Sequence, residues 1–251
     1  SNIEGPAQLN GDDNPAEDSG SVYVFERNAG GTNKWALVKK LFPSDDAEND
    51  NFGYSVAVAG DVIVAGSKGD DDLGDDSGSA YVFERNARGV NHWGQTRKLL
   101  ASDGAKGEEF GRSVAVAGDV IAVGSMATNN HGNYVGAVYI FERNAGGTNL
   151  WGQVKKLQPL DIQWSWGPSA RFGDSLAIAG NVAIVGALGN DDLGGSAGAA
   201  YVFSRHEGGT NAWGQVKKLW AGDGAAGDWF GGCMAVDGDV LVIGTMEKKK
   251  K

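Results

Sequence analysis

The chain has 251 residues, of which 41 are Gly and five are Pro, so about one residue in six is glycine against a usual ~7%, and the excess marks turns and not a collagen-like or Pro-rich tract. Apolar residues make up 41% and charged residues 22%, enough for a core and too apolar for a disordered tail, while no apolar run approaches the ~18 residues of a membrane-spanning helix. The net charge is −10, or −14 without the terminal run Lys248 to Lys251, and a body this acidic disfavours nucleic acid and suits divalent cations or neutral and basic surfaces.

Taken in order, three markers recur four times. Tyr23-Val24-Phe25 returns as Tyr81-Val82-Phe83, Tyr139-Ile140-Phe141 and Tyr201-Val202-Phe203. Trp35, Trp93, Trp151 and Trp213 keep the same spacings of 58, 58 and 62. Phe52-Gly53 returns at Phe110-Gly111, Phe172-Gly173 and Phe230-Gly231, spaced 58, 62 and 58. One insertion of four residues between Trp151 and Phe172 accounts for every irregularity.

Each unit reads as four short strands and no helix. In one of them, Ser55 to Ala59 is followed by the hairpin signal Gly60-Asp61 and by the apolar Val62 to Gly66. An acidic, Gly-rich loop runs from Lys68 to Gly78, then come Ala80 to Glu84, a turn over 86–91, and Trp93 to Leu99. The first two strands are Ala, Val and Gly; the last carries paired cations, Lys39-Lys40, Arg97-Lys98, Lys155-Lys156 and Lys217-Lys218, which protect an exposed edge. Small and apolar inside, charged outside, every ~60 residues: this predicts an all-β fold, a β-propeller of four-stranded antiparallel blades.

The ends predict four blades with permuted closure. The chain opens inside an acidic loop, Gly11-Asp12-Asp13 aligning with Gly69-Asp70-Asp71, and ends on two inner strands, Cys233 to Thr245, with no outer pair after them. The alternative is part of a larger propeller, for example a seven-bladed one. One domain is expected over 1–246, with 247–251 a charged tail outside the fold. The single Cys233, where other units carry Ser55, Ser113 and Ser175, excludes an intrachain disulfide and a Cys-based zinc site and is expected to be a small buried residue. There is no apolar signal-like segment after Ser1 and no N-glycosylation sequon.

The run Phe110-Gly111-Arg112-Ser113-Val114-Ala115-Val116-Ala117-Gly118-Asp119-Val120, followed by Gly136-Ala137-Val138-Tyr139-Ile140-Phe141, resembles FG-GAP repeats, the repeats of the integrin α-subunit propeller and of many bacterial exported proteins. The resemblance covers Gly11 to Thr245. It implies a β-propeller, extracellular or cell-surface placement, adhesion or ligand binding, and calcium in blade loops. The integrin-type calcium loop between the first two strands is absent here; only Ala59-Gly60-Asp61 and its equivalents stand there, so that site does not transfer.

The carboxylates cluster instead in the acidic loops. The first holds Asp12, Asp13, Asn14, Glu17 and Asp18; the second Asp70, Asp71, Asp72, Asp75 and Asp76; the last Asn190, Asp191 and Asp192; the third, with Thr128, Asn129, Asn130, His131 and Asn133, is neutral. Calcium takes 6–8 oxygens, and clustered carboxylates repel unless a cation sits among them, so Ca2+ at Asp12, Asp13, Asp18, Asp70, Asp71, Asp72, Asp75, Asp76, Asp191 and Asp192 is weighed against solvated acidic turns. The linkers between units, such as that holding Asp103, read as turns tied down by their own carboxylates. The inserted loop brings Trp164, Trp166 and Arg171, a ligand-binding patch or a cap on the blade's core.

Catalytic residues are not expected. Gly194-Gly195-Ser196-Ala197-Gly198 and Gly222-Asp223-Gly224-Ala225-Ala226-Gly227 imitate a nucleophile elbow and a dinucleotide fingerprint, but neither opens a helix. His92, His131 and His206 form no metal-ligand pair. The residues point to a non-enzymatic exported module that binds an extracellular protein or glycan, with no nucleic acid and no membrane span. The alternative is a structural subunit of an extracellular filament or surface assembly that self-associates.

Overall fold

The structure, a computed structural model, describes residues 17–126, 135–161 and 170–247. Among these there are sixteen strands and no helix. Three sheets have four antiparallel strands in simple meander order. They are blade 1, β3 (Phe52–Ala59), β4 (Val62–Ser67), β5 (Ser79–Glu84) and β6 (Gly94–Leu99); blade 2, β7 (Ser113–Ala117) to β10 (Gly152–Leu157), through β8 (Val120–Ser125) and β9 (Ala137–Glu142); and blade 3, β11 (Phe172–Ala179), β12 (Val182–Ala187), β13 (Ala199–Ser204) and β14 (Gly214–Leu219). Before them lies the pair β1 (Val22–Arg27) and β2 (Trp35–Leu41), and after them the pair β15 (Cys233–Asp237) and β16 (Val240–Gly244). These are the outer and inner halves of a blade, and they stand as separate two-stranded sheets; the pairing that would join them is not formed among the described residues. The fold is thus propeller-like, four repeat units long, with its ring closure not shown.

The repeated residues stitch each blade to the next. Phe110 N donates to Ser77 O at 2.9 Å, and Phe230 N to Ala197 O at 2.9 Å, so the strand start of one blade pairs with the loop of the blade before it. Gly78 is required there, because its φ is 78° and a Cβ would lie 2.1 Å from the Phe110 carbonyl oxygen. Nearer the hub, Ser55 Oγ donates to Gly111 O at 2.7 Å and Ser113 Oγ to Gly173 O at 2.5 Å. The Phe rings are buried edge-on to the Tyr and Phe of the third strand, Phe110 lying 5.4 Å from Tyr139 and 6.0 Å from Phe141.

The tryptophans bind neighbouring blades at the rim. Trp93 Nε1 donates to Glu26 at 3.0 Å, Trp151 to Glu84 at 3.5 Å and Trp213 to Glu142 at 3.2 Å. Each acceptor belongs to the preceding unit and is also held by an arginine, Arg85, Arg143 or Arg205. The guanidiniums of Arg85 and Arg143 stack on the same indoles at 4.8 and 4.4 Å. Trp35 has no such acceptor among the described residues and is exposed.

Two expectations need correction. Cys233 is exposed, not buried, because no strand among the described residues covers that side of its half-blade. The cation pairs of the outer strands do not all face water: Lys98 and Lys218 turn inward and are largely covered. No helix among the described residues is long and apolar enough to cross a membrane.

Candidate functional site

Two sets of polar side chains stand out, one repeated and one not. The repeated set lies under the acidic loops. Lys98 Nζ sits 2.8, 2.7 and 2.7 Å from Asp45, Asp70 and Asp72, and 5.3 Å from the centre of the Tyr81 ring. Tyr81 Oη lies 2.9 Å from Asp70 and 3.0 Å from Asp45. In blade 2 the pattern shrinks to Lys156 and Tyr139 on Asp103, at 2.7 and 2.9 Å. In blade 3 Lys218 holds Asp161 at 2.5 Å and also Asp192, with Tyr201 3.5 Å from Asp161.

Burial opposes the charge on Lys98, but the hydrogen bonds it donates to Asp45, Asp70 and Asp72 outweigh it and raise the ammonium's pKa above its ordinary value. Burial likewise opposes ionisation of Asp45 and Asp103, and their lysines outweigh it and hold both carboxyls below the ordinary range. Burial raises the phenols of Tyr81, Tyr139 and Tyr201.

The residues expected to hold calcium are thereby sorted. Asp70 and Asp72 come together with Asp45, a linker residue, their oxygens all within 4.8 Å, and a lysine ammonium lies among them. Asp71 turns away and accepts the Asp76 N–H at 2.8 Å, as Asp191 accepts the Ser196 N–H at 2.6 Å. Asp75 pairs with Lys106, and Asp192 with Lys218. Asp18 and Asp76 share the left-handed turn position, φ 53° each, and the Asp18 carbonyl accepts Asn51 N–H. Asp12 and Asp13 lie outside the described residues, as does the neutral third loop. In the linkers it is Asp50 and Asp228 that accept backbone N–H groups, from Ala47 and Ala225 at 3.0 and 2.9 Å, whereas Asp103, expected to tie its turn in this way, holds Lys156 and Tyr139.

The unrepeated set sits where the inner strands begin. The residue before each Phe-Gly is left-handed in every unit, yet its identity changes: Asn51, Glu109, Arg171 and Trp229, with φ of 55°, 47°, 53° and 53°. Its carbonyl accepts an N–H three residues on, from Tyr54, Arg112 or Asp174, so each turn pairs two side chains that differ from blade to blade. These join across blades. Arg112 reaches Glu109 at 2.6 Å and Asp174 at 3.1 Å, and Arg171 reaches Asp174 at 2.7 Å. Lys68 lies 3.8 Å from Glu109 and 5.1 Å from the ring centre of Tyr54, which Arg112 approaches from 6.0 Å. Burial opposes the charge on Arg112; Asp174 and Glu109 overcome it and raise its pKa. The Tyr54 ring is half-exposed.

Arg171, picked out beside Trp164 and Trp166, therefore lands in this patch; the two tryptophans lie outside the described residues. Tyr54, Arg112, Asp174 and Glu109 were missed by sequence reading. The signal was present: they are substitutions inside an otherwise repeating string.

The chain has no match among curated proteins. The FG-GAP repeat model matches four times, over residues 35–83, 93–141, 151–203 and 213–251, each match starting at one of the recurring tryptophans and the first three closing on the phenylalanine of a third strand. With three quarters of the sequence matched and the Phe-Gly turns, hub serines and rim tryptophans in register, the chain belongs to the FG-GAP repeat family.

Proposed function

We propose that this protein is a non-enzymatic recognition module, acting outside the cell or at its surface, that binds a protein or glycan at the patch where the inner strands begin. One observation carries the reading. Residues that hold the scaffold repeat from blade to blade, whereas Tyr54, Glu109, Arg112, Arg171 and Asp174 break the repeat and meet on one face. Selection for packing alone gives no reason for one turn position to carry Asn, Glu, Arg and Trp in a left-handed conformation that costs a non-glycine residue about 1 kcal/mol. The patch offers a stacking ring, two guanidiniums and two carboxylates, a set suited to a polar ligand with a flat face. Trp164 and Trp166 are kept as proposed ligand contacts on the sequence alone, where they precede Arg171.

A glycan array and a panel of extracellular matrix proteins test it. The best ligand found should lose at least about tenfold in affinity with Tyr54→Ala or Arg112→Ala, while the melting temperature stays within a few degrees. Unchanged binding in both variants removes this patch from the reading.

Calcium enters the proposal as a competitor of lysine. An ion drawn to Asp45, Asp70 and Asp72 must displace Lys98, so calcium binding at that loop is weak while the lysine is present.

A further inference from the structure

Arg88 breaks the repeat at the outer rim of blade 1. It stands in the turn between β5 and β6, where the other units carry Gly30, Gly146 and Gly208. Its stem is laid over the start of β6: a Cβ on Gly94 would come within 2.8 Å of Arg88 Cγ. From there Arg88 lines two hollows at once. One, of about 370 Å³, is walled also by Ser44, Gln95, Thr96, Arg97 and Lys98. The second, of about 270 Å³, shares Ser44, Arg88 and Gln95 with the first and has Lys39 and Lys40 on its far wall. The chain carries a net charge of −10 and 32 acidic residues, yet among the described residues neither hollow has a carboxylate in its walls. Among the same residues Arg88 and Arg97 make no hydrogen bond or ion pair, whereas every other arginine is held by a carboxylate or an amide. Thr96 is a second departure from the repeat, standing where the other units have Val38, Val154 and Val216.

We propose that this rim groove binds an acidic polysaccharide, with its anionic groups, carboxylates or sulfate esters, on Arg88 and Arg97 and its hydroxyls on Thr96, Ser44 and Gln95. A guanidinium offers parallel N–H groups to an oxyanion, and two unpaired guanidiniums without a competing carboxylate leave positive charge for an anion to match. The neighbouring groups suit sugar hydroxyls. Thr96 Oγ1 donates to Val82 O at 3.4 Å and keeps its acceptor lone pairs open. Gln95 clips Ser44 through both amide atoms, at 2.8 and 3.1 Å, and keeps a second N–H. A peptide added along the edge of β6 fits less well. Gln95 pairs with Phe83 and Arg97 with Val82, so Thr96 is bulged out and the even edge that an incoming strand follows is broken. Nucleic acid fits less well too, because the net charge repels a duplex charged every ~1.7 Å, whereas a polysaccharide spaces its charges farther apart. The groove is separate from the patch of Tyr54 and Arg112: β6 is the outermost strand of its sheet and β3, which carries Tyr54, the innermost.

Titration calorimetry of the full chain at low salt gives the test, with three polymers: hyaluronan, whose anionic groups are carboxylates, κ-carrageenan, whose anionic groups are sulfate esters, and neutral dextran. Binding of hyaluronan or carrageenan but not of dextran is expected, and the polymer bound identifies the anionic group. Arg88→Gly installs the residue of the other units, and Arg97→Ala changes an exposed side chain, so both variants should keep the far-ultraviolet circular dichroism of the parent. Each should weaken binding about tenfold. Lys217→Ala removes an equal charge from the outer strand of blade 3 and should leave affinity within about twofold, as should Tyr54→Ala. Binding of neither acidic polymer overturns the proposal. So does a loss in Lys217→Ala equal to that in Arg97→Ala, which would mean that charge is read diffusely. Binding that depends on Tyr54 and not on Arg88 moves the ligand to the inner patch and overturns it as well, as does a poly-glutamate peptide that binds more tightly than both polysaccharides.

Discussion

Blade 2 and the half-sheets at the chain's ends are built from nearly the same residues and meet opposite environments. Val120 is 0% exposed and its counterpart Val240 65%; Trp151 is 1% exposed and Trp35 67%. Neither strand propensity nor local register separates these pairs. The neighbour does. Blade 2 is covered on both faces, and each half-sheet on one. In a repeat protein, stability is a sum of unit and junction contributions. A motif therefore marks where a contact can form, and the adjoining unit decides whether it does.

The sharpest break in that comparison is a pair of identical substitutions. Trp151→Ala removes a buried indole, its bond to Glu84 and the stacking of Arg143, and should cost about 3–5 kcal/mol. Trp35→Ala should cost under about 1 kcal/mol in the monomer, since the ring meets mostly water. Denaturant unfolding of the two variants measures both. Equal losses would mean that the rim of the first half-sheet is covered in solution.

Next in size is the comparison of Lys98 with Lys156. Lys98→Met leaves three carboxylates facing one another, with Asp70 buried, and should cost about 2–3 kcal/mol; at Lys156 a single half-exposed carboxylate is left and the loss should be about 1 kcal/mol or less. Millimolar calcium should raise the melting temperature of Lys98→Met by several degrees and that of the parent chain hardly at all. A parent chain that responds equally to calcium would place the ion elsewhere than among Asp45, Asp70 and Asp72.

Smaller still is Arg171→Gly. Glycine relieves a left-handed backbone, a gain of about 1 kcal/mol, and loses an ion pair to Asp174 that is partly open to water, a loss of similar size. Unfolding free energy should move by less than about 1 kcal/mol, while affinity for a ligand of the patch falls. A stability loss above about 2 kcal/mol would make Arg171 part of the scaffold.

Most of the fold was legible because period is a robust signal. Tyr81, Trp93 and Phe110 recur in register, and each recurrence marks a strand start or a junction. The inward turn of Lys98 was not legible. It depends on the register shift between Val82 and Phe83, which sets Lys98 opposite Tyr81, and nothing in Arg97-Lys98 says which cation faces the blade. The meeting of Asp45 with Asp70 was hidden for a similar reason, since a linker and a loop are brought together only by the packing of the blade between them. The binding patch was hidden by attention to what repeats. Arg112 sits inside the very string that carries the family resemblance, and its departure from Tyr54 and Asp174 at the same position is the informative part.

A last effect, confined to a pH window, concerns one linker carboxylate. Asp50 is buried, and loss of water pushes its pKa up to about 6; the Ala47 N–H works against this, Asp70 adds to it, Lys98 opposes it and Asp46 adds a little more. Its folded pKa thus lies above the unfolded value of 3.8, so between pH 4 and 6 the native state binds more protons than the unfolded chain. The contribution of Asp50 to stability is therefore highest below pH 4 and falls as pH rises through 6. Asp50→Asn keeps an oxygen for the Ala47 N–H and carries no charge. Relative to the parent chain it should be stabilised at pH 7 by about 1 kcal/mol, with the gain shrinking toward zero near pH 4. Unfolding curves at half-unit steps from pH 4 to 7 follow the crossover. A gain that grows on acidification would mean that Asp50 is held ionised by Lys98, tying the linker to the same lysine that neutralises Asp45, Asp70 and Asp72.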